Sequence, residues 1–194
     1  MGKKLLLINA CVRKASRTRI LADALLRRLD RPDQAVEEVS LNGIRFPAVD
    51  EAFLGERDRL IAAGNFASPA FALARQFAAA DTVVIAAPYW DLSFPAALKQ
   101  YFEQINVLGI TFRYTPEGFP AGLCRAGRLY YVTTAGGSYV PEDFGFGYVK
   151  ALAQDFYGIP EVRLVKAVGL DLDGADPAAI MQAAEAAVAE MPLD

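Results

Sequence analysis

The chain has no histidine and only two cysteines, Cys11 and Cys124, in 194 residues. Without histidine, Ser-His-Asp and Cys-His hydrolases, HExxH metalloenzymes and the usual zinc sites are excluded. No tight carboxylate cluster replaces them, so no metal ligand is expected. Two cysteines far apart, with no secretion signal, read as reduced thiols and place the chain in the cytoplasm. An excess of positive charge is also missing. Twenty Lys and Arg against 23 Asp and Glu leave a net charge of −3, so there is no basic footprint for nucleic acid. No apolar run reaches the roughly 18 residues of a membrane span, and no membrane partner is expected. The opening MGKKLLLI is too short for a signal peptide's apolar core, and Arg13 and Lys14 follow it without a small-residue cleavage site. Met1-Gly2 lacks the Ser or Thr at position 6 that myristoylation needs. Glycine is absent between Gly2 and Gly43. That removes G-x-G-x-x-G and Walker A loops from the first strand-to-helix turn.

What is present is apolar and alternating. Hydrophobic residues make up 54% of the chain, enough for one well-buried α/β domain over residues 1–194. Strands are expected at residues 3–8, 35–39, 82–87, 129–133 and 162–168. Helices are expected at 16–29, across 51–80 with a break near Gly64 to Pro69, at 94–107, within 148–157 and at 177–191. The alternation argues for a parallel sheet with helices on both faces. Five strands point to a flavodoxin-like three-layer sandwich in the order 2-1-3-4-5. Residues 109–127 interrupt the alternation. There Thr111 to Thr115 read as a strand, Pro116-Glu117-Gly118 as a turn, and the whole as a hairpin serving as a lid, a subunit contact or a plain surface loop.

Ligands in such sheets bind outside the strands' C-terminal ends. After the first strand, Arg13, Lys14, Arg17 and Arg19 accompany Ser16 and Thr18 at a helix start. Free N–H groups and a dipole end suit a phosphate there; alternatively Ser16 merely caps the helix and the cations are solvated. Cys11-x5-Arg17 also has the spacing of low-molecular-weight cysteine phosphatases, although Val12 to Ser16 lack the glycine that turns such a loop's amides inward. Asp176-Pro177 offers a general acid for that reading, or a helix cap. After the third strand come Pro88, Tyr89, Trp90 (the only tryptophan), Asp91 and Leu92, with Pro95 expected in the next helix's first turn. Aromatics at that place suit a flat ligand; simple core packing is the alternative.

The run Ala87 to Lys99 resembles the flavin loop of FMN-dependent NADH azoreductases and NAD(P)H:quinone reductases. Gly109-Ile110-Thr111-Phe112-Arg113-Tyr114, the continuation Gly118 to Gly127, and Thr133-Thr134-Ala135-Gly136-Gly137 are similar to that family's further motifs, in order and spacing. The resemblance implies a homodimer that uses FMN and NADH or NADPH to reduce quinones, azo compounds or nitroaromatics. It implies ping-pong order, with all chemistry on the cofactor and no catalytic side chain. It places FMN against Ala10, Ser16, Arg17, Thr18, Pro88 to Leu92, Thr134, Ala135, Gly136, Gly137 and Tyr139. Amides of Gly136 and Gly137 would meet the ring's carbonyl oxygens. The chain departs from the pattern at Ala10, where serine is frequent, at Asp91, where asparagine is usual, and at Ala135, where arginine is frequent. Tyr139, Phe144, Phe146 and Tyr148 would form a wall over the ring or a dimer contact. A flavin-binding electron carrier or redox sensor is the remaining alternative.

Overall fold

A computed structural model describes residues 2–193. In the first strand, β1 (Lys3–Asn9), Leu5 to Ile8 are apolar and buried because both faces are covered there. Helix α1 (Arg17–Leu29) follows, then β2 (Gln34–Ser40), α2 (Glu51–Ala62), α3 (Ala72–Ala78) and β3 (Thr82–Ala86). The expected break in 51–80 is present, spanned by a short turn at Pro69–Phe71. Next come α4 (Ala96–Ile105), β4 (Phe112–Tyr114), β5 (Pro120–Gly122) and β6 (Arg128–Thr134). The chain closes with α5 (Phe146–Ala151), a π-helical turn at Leu152–Phe156, β7 (Glu161–Ala167) and α6 (Pro177–Glu190).

Five parallel strands form one sheet in the order β2-β1-β3-β6-β7. This is the expected flavodoxin-like 2-1-3-4-5 order, with the antiparallel β4–β5 hairpin inserted. Side chains alternate across the sheet. Leu6, Ile8, Val83, Ile85, Leu129 and Tyr131 face the core on the α3–α4–α5 side. Leu5, Leu7, Val84, Ala86, Tyr130 and Val132 face the one under α1 and α6. A one-residue slip of β1 would exchange the two sets, so burial on both sides fixes the register.

Two local expectations are corrected. Pro95 is not inside the first turn of α4 but at its N-cap, with φ −55° and ψ 140°, and Ala96 starts the helix. Ser16 likewise lies outside α1, as its N-cap. The hairpin is tied down by Gly122, where a Cβ would sit 2.0 Å from the Tyr157 carbonyl carbon. Only a residue without a side chain permits that approach. Among the described residues no helix is long and apolar enough to cross a membrane.

Candidate functional site

The C-terminal ends of β1, β3, β6 and β7 are laced by backbone bonds. Ala10 N–H donates to Ala86 at 2.8 Å, Ala87 to Val132 at 3.0 Å, Tyr89 to Thr134 at 3.0 Å and Ala135 to Ala167 at 3.0 Å. The loops leaving these ends enclose a cavity of about 330 Å³.

One end of the cavity is the start of α1. Ser16 Oγ accepts from Arg19 N–H at 3.3 Å, so the hydroxyl caps the helix. The N–H groups of the first turn have no partner within the helix by geometry, and that turn holds no acidic residue. Thr18 is buried, with Oγ1 2.6 Å from Thr134 Oγ1. Two hydroxyls share one bond, so one proton of the pair stays available for a further acceptor. Behind them Asn9 Nδ2 donates to Glu38 at 2.9 Å, and Arg19 donates to Glu38 at 2.6 Å and to Asp23 at 2.8 Å. Burial would raise the Glu38 carboxyl, but the bonds from Arg19 and Asn9 outweigh it and hold the group below the usual carboxylate range.

The other end is aromatic. Tyr89 is half-buried and Trp90 is 40% exposed. Trp90 and Ser93 exchange backbone bonds of 3.1 and 2.8 Å around Asp91 and Leu92, whose φ values are +50° and +67°. Positive φ at both central residues is the sign pattern of a type I′ turn, which ordinarily takes Asn-Gly. Leucine in that region is strained. Ser93 Oγ ties the turn to the Phe144 carbonyl at 3.2 Å.

Ser16, Arg17, Thr18, Pro88, Tyr89, Trp90, Thr134, Ala135 and Gly136 all line the cavity. Five expected residues do not. Ala10 is buried in the core beneath it. Asp91 and Leu92 stand at the exposed tip of the turn, Gly137 lies just beyond the lining, and Tyr139 is 77% exposed. The aromatic wall divides: Phe146 and Tyr148 pack on the core, whereas Tyr139 and Phe144 project outward. Val12, Arg13 and Ala15 line the cavity too, as do Leu170 and Asp171 from the loop after β7, which no motif singles out. A signal for that loop exists in the sequence, since it also leaves a strand's C-terminal end and carries two glycines, Gly169 and Gly174.

Gly136 has an unforeseen reason to be glycine. A Cβ there would lie 2.4 Å from Asp171 Oδ2. Its carbonyl accepts from Asp171 N–H at 2.9 Å, and the Gly137 carbonyl accepts from Gly169 N–H at 2.9 Å. With the carbonyls engaged, neither glycine's N–H donates to a backbone carbonyl among the described residues.

Neither cysteine has the setting of a phosphatase nucleophile. Cys11 is buried, its Sγ 3.8 Å from the Ala86 carbonyl, and it does not line the cavity. Burial pushes its thiol up despite opposing effects of Ser16 and Arg19, which is the reverse of an activated nucleophile. Asp176 caps α6, accepting from Ala178 and Ala179 at 3.0 and 3.1 Å. Burial pushes Cys124 up to about 12. Among the described residues no three His, Cys, Asp or Glu side chains are placed to hold a metal.

The fold has known counterparts. A family model described as Flavodoxin-like fold matches residues 3–191. The chain belongs to the flavodoxin-like fold family. Within it, the chain is 44% identical over 103 residues to an FMN-dependent NADH:quinone oxidoreductase of Lachnoclostridium phytofermentans, 52% of this chain and 51% of that protein. It is 42% identical over 114 residues to one from Clostridium acetobutylicum, 56% of each. These matches span about half the length of the curated relatives. The solved FMN-dependent NADH-azoreductase of Bacillus anthracis, in complex with FMN, superposes with a TM-score of 0.81 at 26% identity, covering 97% of this chain and 96% of that one. Another Bacillus anthracis azoreductase gives 0.83 at 24% identity, 97% of each chain, and shows the shared fold.

Proposed function

We propose that residues 1–194, acting as one domain, form an FMN-dependent NAD(P)H oxidoreductase. Its acceptors would be quinones, azo compounds or nitroaromatics, taken in ping-pong order. The observation that carries this reading is one cavity joining a cationic helix start, Ser16 to Thr18, to the Tyr89–Trp90 wall. Its donors suit a phosphate and its aromatics suit a flat ring, so the residues fit FMN. The relatives named for FMN, NADH and quinones, and the azoreductase solved with FMN, support the same reading.

In this proposal Ser16, Arg17 and Thr18 hold the phosphate. Pro88, Tyr89 and Trp90 flank the ring, and the Asp91–Leu92 turn fixes their backbone. Thr134 and Ala135 line the same side, and Gly136 and Gly137, whose N–H groups donate to no backbone carbonyl among the described residues, offer amides to the pyrimidine edge, where donors stabilise charge that builds on reduction. Tyr139 would shield the outer face. FMN supplies the hydride chemistry, and no acid, base or nucleophile of the chain is then required. The chain would form a homodimer whose contact draws on exposed aromatics such as Tyr139, Phe144, Phe119 and Tyr114, and the two free cysteines suit the cytoplasm.

The purified protein should be yellow, bind FMN in titration, and oxidise NADH or NADPH when a quinone is added. Failure to bind FMN sinks the proposal. Colour without NAD(P)H oxidation would favour an electron carrier or sensor. Sedimentation should show a dimer, and a monomer would remove the assembly from the reading.

A further inference from the structure

We infer that Asp171 is a specificity-determining residue, a built-in competitor for Arg17 that weakens the grip on a phosphate-bearing ligand and narrows the preference for FMN over riboflavin. The inference rests on the FMN reading above. Arg17 Nη1 donates to Asp171 Oδ1 at 2.7 Å, and both residues line the cavity. Asp171 is not a wandering surface acid. Its N–H is bonded to the Gly136 carbonyl at 2.9 Å, and its carboxylate fills the space that a Cβ on Gly136 would need. The loop therefore fixes a negative charge beside the donors proposed for a phosphate.

A phosphate dianion approaching this end must draw the guanidinium from the carboxylate or share it, and in either case it faces like charge within a Debye length. The side chains of Arg17 and Asp171 are 41% and 66% exposed, so solvent moderates the competition without abolishing it. Riboflavin lacks the phosphate and does not contest Arg17. The carboxylate thus acts on the phosphate and leaves ring recognition alone.

The test is fluorescence titration of FMN and of riboflavin into the wild-type chain, Asp171→Asn and the control Asp173→Asn. Asp173 is an exposed acid of the same loop outside the cavity lining. Asp171→Asn should tighten FMN by about three- to tenfold, with riboflavin changed less than about twofold. Asp173→Asn should leave both within about twofold. Thermal melting without ligand should show the variants folded. If Asp171→Asn leaves FMN unchanged, weakens it, or shifts riboflavin equally while the wild type binds FMN, the competitor role alone is overturned. If the wild type binds no FMN, the functional reading falls with it.

Discussion

At the α1 end of the cavity, side chains hold one another. Thr18 meets Thr134, Asn9 and Arg19 meet Glu38, and Arg19 also meets Asp23. At the Trp90 end the backbone carries the shape, through two reciprocal bonds around a pair of left-handed residues. The side-chain pairs at the α1 end are costly to break, because a partner is left unpaired. The Trp90 end stores conformational strain, which relaxes if the strained residue is changed. The cavity therefore lies between paired polar side chains and an exposed aromatic edge that an adjoining strained turn holds.

Substitutions at the two ends should differ in sign. The largest effect is expected from Thr134→Val, which leaves the buried Thr18 hydroxyl without its partner. Chemical denaturation should show a loss of about 1–3 kcal/mol. The pair Thr18→Val, Thr134→Val should recover part of that loss, because both polar groups are then removed. At the strained end, Leu92→Gly should raise stability by about 0.5–1 kcal/mol in the same assay. Leu92 is 46% exposed, so little packing is lost. A drop in stability there would erase the contrast between the ends. The smallest effect concerns pH. The carboxyl of Glu38 is depressed below its ordinary 4.5, so its contribution is fully present above that value and is lost as pH falls through the lower folded value. Glu38 and Arg19 side chains are 35% and 33% exposed, which limits the contribution to a few tenths of a kcal/mol, roughly. Glu38→Gln should flatten the acid side of the stability–pH curve, and an unchanged curve would remove Glu38 from the α1-end pairs.

Much of this was legible from local pattern. The run Val83 to Ala87 is apolar because both faces of β3 are covered, and the break at Pro88 marks where the strand leaves the sheet. Trp90 and Ser16 could be assigned to the right loops because strand ends and helix starts have local signatures. The turn at Asp91–Leu92 was not legible. Neither residue prefers positive φ as glycine does, and the bonds between Trp90 and Ser93 impose it. Ala10, Gly137 and Tyr139 were assigned through resemblance, and the structure sets them under, beside and outside the cavity. Cys11 shows the limit of spacing. Its distance from Arg17 along the chain fits a nucleophile, but its place in the core raises its thiol.

The strands, the two-sided burial of β3 and β6, and the ends from which loops emerge follow from local pattern, since two-residue and 3.6-residue periodicities are written in nearby apolar side chains. The tertiary structure alone decided which loops meet. Arg17 and Asp171 are 154 positions apart, and nothing in either segment names the other. They come together because parallel pairing carries β1 and β7 to the same end of one sheet, where the loops after them bend over a single cavity.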